Sequence, residues 1–257
     1  MKISDSVFFV SGGASGLGEA VARRVLAHGA GGVVIADLNL GAAQKLSSEL
    51  GDRALAVEVD VQSTEAITAA IDAGMEKFGR LDAAVNCAGI GWAERTLDRD
   101  SKAASIDNYR RVININLIGT YDVVRLAAEQ MAKNEPNADG ERGVVVLTAS
   151  LAAFDGQIGQ AAYSSSKGGL VGLTLPLSRD LSPVGIRVMT IAPGLFDTPI
   201  YDTMPPGLKE HLASTPVFPR RLGLPDEYAH LVQTIFENAY MNGETIRLDA
   251  ALRMAPK

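Results

Sequence analysis

Short runs of almost unbroken apolar, β-branched character recur along this chain, each separated from the next by a longer amphipathic stretch. Val7-Phe8-Phe9-Val10 and Gly32-Val33-Val34-Ile35-Ala36 show no alternation of polar and apolar residues. Such strands need cover on both faces, which a parallel sheet between two layers of helices supplies. The pattern predicts strands at residues 7–11, 32–36, 54–59, 83–86, 143–148, 187–191 and 244–248, and helices near 17–29, 41–50, 63–78, 107–133, 161–182 and 225–238. The expected architecture is α/β: a doubly wound parallel β-sheet (Rossmann fold) of about seven strands with helices on both faces. Pro176 lies inside the fifth predicted helix and should kink or loosen it, because proline removes a helical hydrogen bond.

The chain has 257 residues, near the upper end of roughly 250–300 for one hydrophobic core. No linker-like stretch divides it, so residues 1–257 are expected to form one domain. Two segments read as loops: polar residues 134–142, with Pro136 and Gly140, and a proline-rich connection over residues 194–218, expected to act as a lid. A formal net charge of −6 argues against a nucleic-acid or anionic-membrane partner. No apolar stretch approaches the ~20 residues of a membrane span. The start of the chain lacks a signal-peptide core, and the lone Cys87 has no partner for an internal disulfide or a metal site. A cytoplasmic protein without a metal is expected.

After the first predicted strand the sequence reads Ser11-Gly12-Gly13-Ala14-Ser15-Gly16-Leu17-Gly18. Glycines at a strand-to-helix turn let backbone N–H groups approach a pyrophosphate at a helix N-terminus. A glycine cluster alone is also compatible with a simple turn. Asp37, at the end of the second predicted strand, strengthens the nucleotide reading, since an acid there accepts from both adenosine ribose hydroxyls and repels a 2′-phosphate. No basic residue stands at Ser15 or Leu38, which selects NAD as cofactor. Asp60, followed by Val61, serves either the adenine amine or the cap of the helix beginning near Ser63.

Further along, Ser150 precedes Tyr163, and Lys167 follows Tyr163 at helical spacing, on the same face. A phenol with an ordinary pKa of ~10 is a poor acid/base at neutral pH, and a nearby ammonium should favour its ionised form. Together these groups can move a proton on or off an alcohol while a dinucleotide moves the hydride.

The glycine run, Asn86-Cys87-Ala88-Gly89, Asn116, Ser150, Tyr163-x-x-x-Lys167 and Pro193-Gly194, in that order, resemble the short-chain dehydrogenase/reductase family over essentially the whole chain. The stretches around Ser150 to Pro199 and Glu227 to Met254 resemble members that act on 3-hydroxyacyl-CoA thioesters and 17β-hydroxysteroids. The resemblance implies Tyr163 as general acid/base, Lys167 on the nicotinamide ribose, Ser150 on the substrate oxygen, and Asn116 rather than Asn114 holding a water in a proton relay. It places Gly12, Ser15, Gly16, Leu17, Gly18, Asp37, Asp60, Val61, Cys87, Ala88, Gly89, Pro193, Gly194 and Thr198 around the cofactor. It further implies a homotetramer. Ser11 stands where the family usually has threonine, Cys87 where it often has a second asparagine, and residues 92–106 show least similarity.

For the substrate, the resemblance implies interconversion of a secondary alcohol and a ketone, with an acyl-CoA thioester as partner and hydroxysteroids or small alcohols as the alternative. A dinucleotide-binding scaffold without catalysis is the reading of another class; the intact Asn116, Ser150, Tyr163 and Lys167 disfavour it. Gln157 and Gln160 are expected either to meet polar substrate atoms or to cap the helix carrying Tyr163. Leu195, Phe196, Ile200, Tyr201, Met204, Leu208 and Leu212 are expected to close an apolar slot. Arg95, Arg99, Lys102 and Lys209 are candidate contacts for CoA phosphates or plain surface charges. Trp92 lines the entrance or simply packs, and no catalytic role is expected of His28, His211 or His230.

Overall fold

In the computed structural model, which describes residues 1–199 and 207–256, seven parallel strands run in the order β3-β2-β1-β4-β5-β6-β7. They are β1 Val7–Ser11, β2 Gly32–Asp37, β3 Ala54–Glu58, β4 Ala83–Asn86, β5 Gly143–Thr148, β6 Ile186–Pro193 and β7 Thr245–Leu248. β1 pairs with β2 on one side (Ser11↔Ala36) and with β4 on the other (Ser11↔Asn86). The chain therefore reverses its direction of winding at β1, and the crevice beyond the carboxyl ends of β1 and β4 is where such sheets bind ligands.

The helices are α1 Gly16–Ala27, α2 Leu40–Leu50, α3 Thr64–Phe78, α4 Ile106–Ile113, α5 Thr120–Met131, α6 Ala161–Leu181, α7 Leu208–Ala213 and α8 Pro225–Glu237. Alternate strand residues face opposite layers. Phe8, Val10, Val33 and Ile35 pack with α1, α2 and α8, whereas Phe9, Val34, Ala84 and Val145 pack with α3 and α5. Every residue of β1, β5 and β6 is buried, which is why their sequences carry no polar alternation.

Departures from the sequence expectation are local. The single helix expected over 107–133 contains a wider π-helical stretch, Asn114–Gly119, between α4 and α5. Gly119 there lies so close to the end of the β3 connection that an added Cβ would meet Val61 O at 2.6 Å. α7 falls inside the connection read as a loop, and β6 extends two residues further, to Pro193. α6 runs through Pro176 as one helix. Pro176 and Gly172, whose carbonyl loses its helical donor, are both exposed, so water can satisfy that carbonyl. Among the described residues no helix is long and apolar enough to cross a membrane, and no group of three His, Cys, Asp or Glu is placed to hold a metal.

Candidate active site

A cleft of about 580 Å³ opens at the carboxyl ends of the strands. One end is the glycine turn. Gly12 and Gly16 adopt φ of +64° and +54°, the left-handed region that glycine tolerates without strain. Space explains the third glycine: a Cβ on Gly18 would meet Gly12 O at 2.1 Å. Gly12 itself abuts the backbone of Ala88, and Gly16 lies under the Thr198 side chain. The turn is thus closed from both sides, with α1 starting directly beyond it.

Asp37 stands at the end of β2, its carboxylate accepting from Ala14 N (3.0 Å) and Asn39 N (2.9 Å). Those two bonds orient it beside the glycine turn. Asp60 accepts from Gln62 N at 2.9 Å, while Ser63 caps α3 by accepting from Ala66 N. Of the two roles open to Asp60, the helix cap therefore goes to Ser63. Asp60 and Val61 both line the cleft.

The other end of the cleft carries Ser150, Tyr163 and Lys167. Ser150 follows the buried strand β5, and its Oγ accepts from Ala152 N at 3.1 Å. That bond leaves the hydroxyl hydrogen available. Tyr163 lies in the first turn of α6, with Lys167 one turn on. The ammonium donates to Thr148 O at 2.8 Å and sits 5.8 Å from the Tyr163 ring centroid. Burial pulls Lys167 down to about 8. Burial also pushes the Tyr163 phenol above its ordinary value, opposed by a hydrogen bond from Ser150. Desolvation outweighs that bond, so the phenol lies above its ordinary value and not below it as the sequence led one to expect. The phenol is consequently protonated at neutral pH and placed to donate.

Asn116 is fully buried in the π-helical stretch, whereas Asn114 is exposed. Its amide accepts from Ile90 N (2.8 Å) and donates to Ile90 O (2.9 Å) and Ser166 Oγ (3.1 Å). It thereby clamps the chain after β4 to α6. A Cβ on Gly89 would lie 3.2 Å from Asn116 Oδ1 and 3.5 Å from Lys167 Nζ, so glycine brings both groups to the cleft wall.

All the residues expected around a cofactor, from Gly12 to Thr198, line this one cleft. The substrate expectations divide. Phe196 is buried and lines the cleft; Leu195, Gln157 and Gln160 do not. Gln160 Oε1 accepts from Gln157 N (2.9 Å) within the loop before α6, and Gln157 Nε2 donates to Ala255 O (3.0 Å), which ties that loop to the last residues described. Arg95, Arg99 and Lys102 are exposed away from the cleft, and Lys209 pairs with Asp197 at 2.7 Å. Trp92 donates to Glu94, and the three histidines are exposed. Leu208 and Leu212 belong to α7, while Ile200, Tyr201 and Met204 lie outside the described residues.

Other neighbours were not expected. Thr148 anchors Lys167, and its hydroxyl meets Tyr228 OH at 2.7 Å, beside Cys87. Arg111, in the last turn of α4, and Ile115, in the π-helical stretch, both line the cleft, and neither carried a signal in the sequence. Cys87 is a small residue of the cleft floor, and burial pushes its thiol up, which disfavours the thiolate.

The cradle fits a nicotinamide dinucleotide. Its glycines leave the backbone bare where Cβ atoms would fill the floor, and the Asp37 carboxylate stands beside them in the same cleft. Residues 6–208 match the family profile described as short chain dehydrogenase. The chain belongs to the short-chain dehydrogenase family. It is an oxidoreductase. The 3-hydroxyacyl-CoA dehydrogenase type-2 of Drosophila melanogaster is 53% identical over 255 residues, 99% of this chain and 100% of that one. A crystal structure of 3-hydroxyacyl-CoA dehydrogenase type-2 from Mycobacterium avium, 46% identical, superposes over the whole of both chains with a TM-score of 0.94. A 3-ketoacyl-(acyl-carrier-protein) reductase from Brucella melitensis solved with NADH, 27% identical, covers 98% of this chain and 100% of its own with a TM-score of 0.85.

Proposed function

We propose that this dehydrogenase interconverts (3S)-3-hydroxyacyl-CoA and 3-oxoacyl-CoA thioesters with NAD as cofactor. The observation that carries the proposal is that Ser150, Tyr163 and Lys167 share one cleft with the glycine turn and Asp37. When bound, the dinucleotide supplies the hydride acceptor or donor. Tyr163 gives its proton to the carbonyl oxygen in reduction; in oxidation the phenol must first lose its proton, and the phenolate then takes the hydroxyl proton. Ser150 donates to the same substrate oxygen, and Lys167 holds the ribose hydroxyls. Asn116 supports a water between Lys167 and solvent.

Asp37 disfavours NADP, because a carboxylate beside a 2′-phosphate leaves two like charges unrelieved. The thioester substrate is supported by the 3-hydroxyacyl-CoA dehydrogenase type-2 relatives and by Phe196, which gives the cleft an apolar wall. A homotetramer in a reducing, cytoplasmic compartment is part of the same reading, supported by the family and by the lone Cys87.

The test is a panel of reductions followed by nicotinamide absorbance. Acetoacetyl-CoA, a 17-ketosteroid and simple ketones are each offered with NADH and with NADPH. We expect the highest kcat/KM for acetoacetyl-CoA with NADH. Far better turnover of the steroid would reassign the substrate class, and equal values for the two cofactors would remove Asp37 from the binding site.

A further inference from the structure

The chain between Ser150 and Tyr163 passes through the short turn Leu151–Ala153 and then an irregular loop up to Gln160, where α6 begins. Asp155 lies in the middle of this loop. Its N–H donates to Leu151 O at 2.9 Å, which ties it to the residue after Ser150. The next residue, Gly156, lies against the residue after Tyr163: a Cβ there would meet Ser164 Oγ at 2.4 Å. Ser164 Oγ is buried and has no hydrogen-bond partner among the described residues, so this contact is one of shape. Moving Asp155 therefore moves the backbone beside both hydroxyl-bearing residues.

What holds Asp155 from outside is Arg247, on β7. Its guanidinium donates to Asp155 Oδ2 at 2.5 Å and, through Nε, to Asp249 Oδ2 at 2.7 Å. It also lies 5.0 Å above the Phe154 ring. Arg247 is in register with Ala192 of β6, and Asp249 is packed against Gly194, where a Cβ would meet Asp249 Cα at 2.8 Å. The guanidinium thus bridges a fixed sheet edge to an irregular loop. With side chains only 22% and 21% exposed, the Arg247–Asp155 pair is shielded from the screening that weakens surface pairs.

We propose that Arg247 is a positioning residue that sets the placement of Ser150 relative to Tyr163 by clasping Asp155. The proposal rests on the acid/base role given to Tyr163 above. It assigns work in the reaction to a side chain that touches neither cleft nor cofactor cradle, and it explains why a loop between two reacting residues is anchored to the last strand of the sheet.

The test compares Arg247→Met, which keeps the stem, with Asp155→Asn, reading kcat for acetoacetyl-CoA reduction and the Kd for NADH by fluorescence. Misplacement by about 1 Å costs up to ~10²-fold in rate, so each variant is expected to lose about tenfold or more in kcat. NADH Kd should stay within about twofold, and the double variant should be no worse than the worse single one, since both act through one contact. Arg247→Lys retains one charged link and should recover part of the loss. If Arg247→Met does not fold, Asp155→Asn decides alone. Both single variants retaining more than half of wild-type kcat, or kcat and NADH affinity falling in step, would overturn the clasp. Tyr163→Phe is the control: if it stays active, the acid/base reading fails, whereas an inactive Tyr163→Phe beside fully active clasp variants removes only the clasp.

Discussion

An ammonium buried on the wall of a cleft costs folding free energy that a surface lysine does not. Burial draws Lys167 from the ordinary 10.5 to about 8, which at pH 7 corresponds to a cost on the order of 3 kcal/mol. Its hydrogen bond to Thr148 O has a charged donor and returns about 1.5–3 kcal/mol. Lys167→Met should therefore be at least as stable as wild type at pH 7, by up to roughly 2 kcal/mol, while losing activity. The sign follows from proton counting. Between about 8 and 10.5 the unfolded chain binds more protons than the native one, so wild-type stability gains with pH across that window through this group. The advantage of the methionine variant shrinks over the same window and vanishes above it. Urea unfolding of both proteins at pH 7 and pH 10 checks this; a variant less stable than wild type at pH 7 would show that Lys167 is not held against its solvation. Such a trade of stability for chemistry is expected at a working site.

At the scale of elements, α8 shows how a helix is fixed where its buried face matters. Tyr228 and Phe236 lie on that face, and Tyr228 reaches Thr148 beneath the cleft. The start of α8 is secured by Pro225 in its first turn and by Glu227, which accepts from Leu224 N at 2.7 Å and pairs with Arg221 at 2.7 Å. Arg221 and that N–H together hold the Glu227 carboxyl at about 2. The pair is substantially exposed, so after allowance for solvent screening Glu227→Gln should cost only about 1 kcal/mol at pH 7. Because the native carboxyl titrates lower than the unfolded one, this stabilisation is present above about 4.5 and disappears as pH falls towards about 2. Thermal unfolding at pH 7 and pH 3 should show the difference narrowing, and a constant difference would contradict it. The elements themselves were legible unevenly. Strands buried on both faces announce themselves as apolar runs, and all seven were placed within two residues at either end. α7 was not, because one and a half turns amid prolines offer no periodicity. The π-helical stretch at Asn114–Gly119 was equally hidden, since a single wider turn inside a helix carries no residue signature of its own. Asn116 was found through its motif, without any sign of the geometry that buries it.

For the whole molecule, the order β3-β2-β1-β4-β5-β6-β7 brings together residues that are far apart in sequence. The glycine turn and Asp37 come from the first two strands; Ser150, Tyr163 and Lys167 come from β5 and α6; all face one crevice. That convergence was legible because each group carries its own chemical signature. The substrate side was less so: Gln157 and Gln160 have polar side chains that suit a ligand as well as a loop, and only the fold reveals that the loop takes them. Arg247 gave no signal, since an ion pair joining Asp155 to the last strand depends on topology alone. Under the proposed function a single phenol in this crevice moves the proton for a dinucleotide-dependent oxidoreduction. The direct measurement is kcat for acetoacetyl-CoA reduction, with the Kd for NADH, in wild type and in Tyr163→Phe, which removes one oxygen. An unchanged Kd and a kcat lower by the ~10²–10⁴ typical of losing a general acid are expected; a variant that keeps more than about a tenth of wild-type kcat would contradict that role.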